Sequence, residues 1–235
     1  MELCVALDMP SKTQNLKLVY QLKGLDIWLK VGLRAFVRDG TEFIKDIKNI
    51  DNNFKIFLDL KLYDIPNTMA STALELAKLD IDMFNIHASS GKIAMKQVMD
   101  VLKDIKNRPK IIAVTALTSF DNKLFEDIYH QNIQTKAKQF AIQAYEAGLD
   151  GVVCSVFESK TIKNTTNDKF MTVTPGIRPF DEVSNDQFRV GNIKAAKDEM
   201  VDMIVVGRPI YEDKNPPEKT REILNNISKK TREII

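Results

Sequence analysis

The sequence predicts a single domain with the (β/α)8 barrel (TIM barrel) fold over residues 1–235. Eight short apolar runs recur from one end of the chain to the other, and segments with helical spacing of apolar residues separate them. No Gly-, Ser- or Pro-rich linker divides the chain. Apolar strands that alternate with amphipathic helices are typical of a parallel sheet covered by helices, and eight such units at this length favour a closed barrel. A doubly wound open sheet is the alternative.

The predicted elements follow one another in β–α order. In chain order, the strands are LCVAL, IWLKV, FKIFLDL, DMFNIH, KIIAVT, DGVVCS, FMTVT and DMIVVG. Each is an apolar run of the kind that parallel sheets bury on both faces. Apolar residues three and four positions apart predict helices at 14–22, 68–79, 93–105 and 135–147, with a last helix at 218–227.

Composition limits the classes of partner and the compartment. Lys and Arg number 34 against 32 Asp and Glu, so a net charge of +2 gives no reason to expect a nucleic acid or membrane partner. Cys4 and Cys154 lie in apolar runs without C-x-x-C spacing, as expected for buried thiols in a reducing compartment. With neither a basic leader nor a long apolar segment, the chain is expected to be cytoplasmic.

Polar residues collect at the carboxyl ends of the predicted strands, where barrels carry their chemistry. Along the chain they are Asp8, Lys30, Asp59, Lys61, His87, Thr115, Thr118, Ser155, the TPGIRP segment from Thr174, Gly207 and Arg208. Several are charges that interrupt apolar strands, and an isolated buried charge is costly. Mutual pairing lowers that cost, so an internal salt-bridge network without a chemical role is one interpretation.

The densest polar segment is DLKLYDIPNT, residues 59–68. Period-two alternation places Asp59 and Lys61 on the same face of the third strand, with Asp64 just beyond it. Carboxylates within about 4–6 Å favour the charged form of a lysine, which can then donate a proton. A carbanion left by a departing carboxylate would be attracted to Lys61, and unit charges ~4 Å apart interact by about 4 kcal/mol at an effective dielectric of 20.

A phosphate site is expected in the loops that follow strands 7 and 8. Gly207 allows close backbone approach to an anion, and the guanidinium groups of Arg208 and Arg178 suit phosphate. Gln187 is a further donor in the same region. His87 is interpreted as a hydrogen-bonded structural residue rather than a base. No His/Cys cluster, G-x-G-x-x-G or Walker motif is present, so neither a metal nor a nucleotide cofactor is expected.

Taken together, ALD, KVG, DLKLYDIPNT, AVTALTS, TPGIRP with a downstream DQ, and VVGRPI resemble orotidine 5′-monophosphate decarboxylase of the bacterial type along the whole chain. The string DxKxxDIPxT is highly specific to that family. DxKxxD alone is shared with decarboxylases and aldolases of sugar phosphates. The resemblance implies cofactor-free conversion of orotidine 5′-monophosphate to uridine 5′-monophosphate and carbon dioxide, the last step of de novo pyrimidine synthesis.

The resemblance also implies a role for each matching residue of the charged segment. Lys61 would protonate the pyrimidine carbon, and Asp59 would face the departing carboxylate. Lys30 and Asp8 would hold ribose hydroxyls and complete an alternating charge array with Asp59, Lys61 and Asp64.

Other implied roles lie elsewhere in the chain. Thr118 would bond the pyrimidine edge. The phosphate would be held by Arg178, Gln187, Arg208 and the backbone of Gly207. The family's site is completed across a homodimer interface, so Asp64, Ile65 and Thr68 would serve the partner subunit's site.

The chain departs from the family pattern at a few loop positions. Tyr63 stands where histidine is common, Ser90 replaces a usual glycine, and EMVD precedes the last strand in place of a Gly-Ala-Asp turn. None removes a charged role. Two other functions stay open: a metal-dependent decarboxylase or aldolase of a sugar phosphate, and a non-catalytic nucleotide-binding barrel.

Overall fold

A closed barrel of eight parallel strands forms the centre of the molecule. The structure is a computed structural model that describes residues 1–180 and 189–229. Each strand pairs in parallel with the next one along the chain, and β8 pairs with β1. This order confirms the predicted (β/α)8 barrel and is incompatible with the open-sheet alternative, in which two strands would form free edges.

All eight predicted strands are present. They are β1 Glu2–Ala6, β2 Trp28–Gly32, β3 Lys55–Leu62, β4 Met83–His87, β5 Lys110–Val114, β6 Gly151–Val153, β7 Met171–Thr174 and β8 Met203–Val206. Strand β3 is the longest of them, and its last four residues, 59–62, include Asp59 and Lys61 of DLKLYDIPNT.

Helices cover the outside of the barrel. The structure contains α1 Lys12–Gln21, α2 Leu33–Asp39, α3 Glu42–Ile50, α4 Pro66–Leu76, α5 Lys92–Leu102, α6 Asn122–Tyr129, α7 Ile133–Glu146, α8 Ser159–Thr165, α9 Ile193–Asp198, α10 Arg208–Tyr211 and α11 Pro216–Ser228. The five predicted helices correspond to α1, α4, α5, α7 and α11, with ends shifted by one to three residues. Local caps account for such shifts, since Ser11 forms a capping box with Gln14 and Pro66 opens α4.

Alternation along each strand divides the apolar core into two layers. Side chains that point into the barrel form one cluster: Cys4, Ala6, Trp28, Phe57, Met83, Ile112, Val114, Val153, Val173, Met203 and Val205. Their neighbours in sequence, such as Leu3, Val5, Ile56 and Leu58, point outward and pack with the helices. Because the side-chain period of a strand is two, the inward series continues into the polar residues that follow Ala6 and Phe57.

Carboxylates at the amino ends of three even-numbered strands bind the preceding odd strands. Asp82, Asp150 and Asp202 accept backbone hydrogen bonds from Ile56, Ile111 and Thr172 at 2.7, 2.7 and 2.8 Å. Each also pairs with a cation, respectively Lys48, Arg108 and Lys163. These contacts lie at the opposite end of the barrel from the charged ends of β1–β3, as expected for groups that serve stability.

Candidate active site

A cavity of about 480 Å³ opens at the carboxyl ends of the strands. Eight of the predicted site residues line it: Asp8, Lys30, Asp59, Lys61, Thr118, Arg178, Gly207 and Arg208. Four of these side chains are cationic and two are carboxylates, so the cavity has an excess of positive charge. Such a cavity suits a substrate that carries several negative charges.

The first four of these residues form a continuous alternating chain of charges. Lys30 Nζ lies 3.2 Å from Asp8 Oδ1 and 3.4 Å from Asp59 Oδ2. Asp59 Oδ1 in turn lies 2.6 Å from Lys61 Nζ. The order is therefore Asp8, Lys30, Asp59, Lys61, supplied by the segment after β1 and by the two adjacent strands β2 and β3.

Mutual pairing keeps the centre of this array ionised. Burial by itself would raise the pKa of Asp59, but the charges of Lys30 and Lys61, with hydrogen bonds from Lys61 and Asn85, hold that pKa below its ordinary value. Burial would likewise lower the pKa of Lys30, yet the carboxylates of Asp59 and Asp8 raise it. Asp59 is 9% exposed and Lys30 is 9% exposed, so solvent screens their attraction only weakly.

A glycine gives the array its space. Gly32, at the end of β2, has no side chain, and a Cβ there would lie 3.0 Å from Asp8 Oδ1 and 3.1 Å from Lys30 Nζ. Either contact is tight enough to displace the neighbouring charged group. The glycine of KVG therefore belongs to the site, although the sequence analysis gave it no role.

The backbone of β3 is irregular at Lys61. Its φ is 55°, in the left-handed region, and the β3–β4 register shifts between Leu58 and Leu62. Simple alternation predicted the shared face of Asp59 and Lys61 but not this bulge, which requires particular tertiary contacts.

The other wall of the cavity is formed by the segments after β5, β7 and β8. Thr118, which is 9% exposed, lies on the β5 side. Arg178 is buried, and Arg208 with Gly207 follows β8. Val114, Val153 and Val173 supply an apolar part of the lining that suits the face of a planar ring.

An ion pair links the segments that follow β5, β6 and β7. Arg189 contacts the carboxylate of Glu158 and donates to the backbone oxygens of Ala116 and Leu117 at 3.1 and 3.2 Å. Glu158 also accepts from the backbone of Ser155 at 2.9 Å. The pair therefore holds the segment that leads to Thr118, a role that the sequence analysis did not identify.

Three of the predicted site residues that the structure describes do not line the cavity. Asp64, Ile65 and Thr68 are exposed, and Ile65 is 65% exposed. Asp64 therefore does not extend the array within one subunit; its Oδ1 accepts from the backbone of Ile65 at 2.7 Å. Gln187 lies outside the described residues.

His87 ends β4 beside the cavity but is not part of its lining. Its Nδ1 is 2.7 Å from Ser89 Oγ, and its ring stacks on Tyr63 with centroids 5.7 Å apart. Burial and the nearby charge of Lys61 lower its pKa. These contacts favour the structural interpretation of His87 over a catalytic base.

Residues 1–180 and 189–229 contain neither a cluster of metal-binding side chains nor a membrane-spanning helix. In these ranges, no three His, Cys, Asp or Glu side chains come together in a way that could hold a metal ion. No helix there is both long enough and apolar enough to cross a bilayer.

Known proteins are similar to this chain in both sequence and fold. The family model "Orotidine 5'-phosphate decarboxylase / HUMPS family" matches residues 1–223. A relative from Nitratiruptor sp. named orotidine 5'-phosphate decarboxylase is 61% identical over 227 residues, covering 97% of this chain and 100% of the relative. One of the same name from Sulfurimonas denitrificans is 60% identical with the same coverage.

Solved structures of proteins with the same named function are similar to this chain in fold. The orotidine 5'-phosphate decarboxylase of Lactobacillus acidophilus has a TM-score of 0.85 and 34% identity, covering 97% of this chain and 99% of that chain. The enzyme of Methanocaldococcus jannaschii, solved with the inhibitor BMP, has a TM-score of 0.78 and 27% identity at the same coverage. The match of a family model over nearly the whole chain, together with relatives of this identity, shows that the chain belongs to the orotidine 5'-phosphate decarboxylase / HUMPS family.

Proposed function

We propose that this protein converts orotidine 5′-monophosphate to uridine 5′-monophosphate and carbon dioxide, with Lys61 as the proton donor. The observation that carries the proposal is the Asp8, Lys30, Asp59, Lys61 array in a cavity that also contains two arginines. The relatives named as orotidine 5'-phosphate decarboxylases support the choice of substrate.

The array accounts for each step of the reaction. The substrate carboxylate faces Asp59, and the C–C bond to it breaks with both electrons staying on carbon 6 of the pyrimidine. Lys61 Nζ then transfers a proton to that carbon, which forms the new C–H bond, and the amine recovers a proton from solvent. Charges held in place before the reaction stabilise the developing carbanion without having to reorganise.

Ribose and base are held by the remaining parts of the cavity. Lys30 and Asp8 suit the ribose hydroxyls, because one donates and the other accepts. Thr118 offers a hydroxyl to the edge of the pyrimidine. These contacts orient carbon 6 toward Lys61, and orientation of this kind supplies much of the rate enhancement in enzymes.

The phosphate contributes binding energy at a distance from the reacting carbon. Arg178, Arg208 and the backbone of Gly207 line one side of the cavity and suit a dianion. Gln187 belongs to the proposal as a further donor. Binding energy from such a remote group can align the substrate and so raise kcat as well as affinity.

A homodimer is part of the proposal. Asp64, Ile65 and Thr68 are exposed and do not line their own cavity, and the neighbouring Tyr63 is 64% exposed. An apolar, exposed segment that follows a catalytic strand suits contact with a second copy, where Asp64 would approach that copy's array.

The compartment and the cofactor requirement complete the proposal. Cys4 and Cys154 are both buried free thiols, which supports a cytoplasmic location. The reaction as written needs only groups of the protein and the substrate, so no metal or organic cofactor is required.

The decisive experiment follows the loss of orotidine 5′-monophosphate absorbance with wild-type protein and Lys61→Ala, both dialysed against chelator. Rapid turnover by the wild type and none by the folded variant is the expected result. If the folded wild type is inactive until a divalent metal and a sugar phosphate are supplied, the metal-dependent alternative replaces the proposal. Tight nucleotide binding with no turnover would favour the non-catalytic barrel.

A further inference from the structure

Asn85 connects the two central groups of the array. It lies in β4 with its side chain fully buried, on the same face as Met83, which points into the barrel. Its Oδ1 accepts from the backbone N–H of Lys61 at 2.7 Å, and its Nδ2 donates to Asp59 Oδ1 at 2.7 Å. One amide thus contacts both the proposed proton donor and the aspartate beside it.

The chemistry of the two partners fixes the orientation of this amide. A backbone N–H can only donate, so it must face the amide oxygen, and an ionised carboxylate can only accept, so it must face the NH2 group. A flipped Asn85 would lose both hydrogen bonds. The side chain is therefore locked in a single arrangement.

The irregular backbone of β3 makes the first contact necessary. At the bulge between Leu58 and Leu62, Lys61 adopts a φ of 55°, which non-glycine residues rarely adopt. A bulge removes the ladder partner of the residue concerned. The Asn85 oxygen takes the place of that partner and holds the backbone from which the Lys61 side chain extends.

The second contact fixes the rotation of the Asp59 carboxylate. Oδ1 of Asp59 receives Nδ2 of Asn85 at 2.7 Å and Nζ of Lys61 at 2.6 Å, while Oδ2 faces Lys30 Nζ at 3.4 Å. With Asn85 in place, the carboxylate presents one oxygen to each lysine. Without it, the carboxylate is free to rotate and to draw Lys61 away from the substrate.

We propose that Asn85 is a positioning residue for the decarboxylation, acting through Lys61 and Asp59. The inference rests on the proposed role of Lys61. Asn85 does not line the cavity, so its effect falls on the alignment of the array and not on contact with the substrate. Misplacement of a reacting group by about 1 Å can cost about 100-fold in rate, which sets the expected scale.

Two substitutions test the proposal. Asn85→Ala removes both hydrogen bonds, and we expect kcat to fall about 100-fold with little change in KM. Asn85→Asp keeps the shape but loses the donor when ionised. In its protonated form, the carboxylic acid again accepts from Lys61 and donates to Asp59. We therefore expect kcat of Asn85→Asp to recover toward the wild-type value as the pH falls, a dependence that the wild type lacks.

A matched control separates positioning from general stability. Thr172, in β7, is also fully buried and polar, and its hydroxyl lies 2.9 Å from Ser159 Oγ at the other end of the barrel. Thr172→Val should lower the melting temperature while leaving kcat and its pH profile unchanged. Affinity for uridine 5′-monophosphate, measured on every variant, reports whether the cavity is intact.

Each outcome decides for or against the inference. Wild-type kcat in both Asn85 variants, with Lys61→Ala inactive, overturns the role of Asn85 alone. Activity retained by Lys61→Ala overturns the proposed function instead. Failure of both Asn85 variants to fold, or parallel losses of kcat and product affinity without recovery in acid, means that Asn85 serves the fold, and this also overturns the inference.

Discussion

Asp59 and Lys61 contact each other through Oδ1 and Nζ at 2.6 Å although the backbone between their Cα atoms leaves the extended conformation. A bulged strand, held by a buried amide from the next strand, places both groups at the edge of one cavity.

Removing the charge of Asp59 should slow the reaction. Asp59→Asn keeps the shape of the side chain, and we expect kcat to fall by about 100-fold or more because the fixed charge beside Lys61 is lost. If repulsion of the substrate carboxylate contributes, the same variant binds substrate more tightly while its affinity for uridine 5′-monophosphate stays the same. Single-turnover kinetics and calorimetry measure both quantities. Unchanged kcat would contradict a catalytic role for Asp59.

Acid stability should depend on Asp59. Its folded-state pKa lies below the ordinary value of 3.8, so its ionised form contributes stability that is present above pH 3.8 and is lost as the pH falls through the folded-state pKa. We expect Asp59→Asn to lack this contribution, so its free energy of unfolding changes less than that of the wild type on acidification. Urea unfolding from pH 5 to 2 measures the difference, and parallel curves would contradict it.

A methyl group at Gly32 should disturb the array but not the fold. The Cβ of Gly32→Ala would lie 3.0 Å from Asp8 Oδ1 and 3.1 Å from Lys30 Nζ, and both groups are ends of side chains that can shift. We expect kcat/KM to fall about tenfold or more through misalignment, while the melting temperature changes little. Steady-state kinetics and thermal unfolding on the same preparation test this. Wild-type kcat/KM in the variant would show that the pair tolerates displacement.

Loss of a phosphate-binding arginine should affect only the phosphorylated substrate. We expect Arg208→Ala to reduce kcat/KM for orotidine 5′-monophosphate by about 10- to 100-fold, in keeping with one hydrogen-bonded ion pair. Its activity on orotidine, which lacks the phosphate, should match the low activity of the wild type. Arg221→Ala, an exposed arginine in α11, is the control. Equal losses on both substrates would remove Arg208 from the phosphate site.

Mixing two inactive variants should restore activity if the site is shared between subunits. Lys61→Ala and Asp64→Asn each damage every site of their own homodimer. A heterodimer carries one site with both residues intact, so random exchange of subunits restores up to about a quarter of wild-type activity. The assay is the rate after mixing, with sedimentation to confirm a dimer. No recovery despite subunit exchange would mean that Asp64 does not act in the partner's site.

Much of the site could be predicted from the sequence because strand alternation is a local property. Ala6 and Phe57 point into the barrel, and counting onward in twos brings Asp8 and Asp59 to the same interior. The same count from Met83 reaches Asn85, an amide inside an otherwise apolar strand, so a signal for this residue was present in DMFNIH. Asn85 lies two residues before the end of β4, so the pattern of polar residues at strand ends indicated His87 instead.

Contacts between distant segments could not be predicted in this way. The ion pair of Glu158 with Arg189, and the contact of Arg189 with the backbone after β5, join residues that no local pattern relates. The lack of space for a side chain at Gly32 could not be predicted either, because it depends on where the ends of the Asp8 and Lys30 side chains lie. Asp64, in contrast, is exposed, as expected for a residue that contributes to the site of a second subunit. That contribution stays a prediction.

By itself, the sequence determined the strand order, the family resemblance and the charged residues at the strand ends, because these depend on residue type and short-range spacing. Tertiary structure alone decided the bulge at Lys61, the amide that supports it and the distances within the array. The physical reason is that a left-handed backbone at a non-glycine residue and a row of buried charges are both unfavourable in isolation. They persist only where neighbouring strands supply the hydrogen bonds and opposite charges that compensate them.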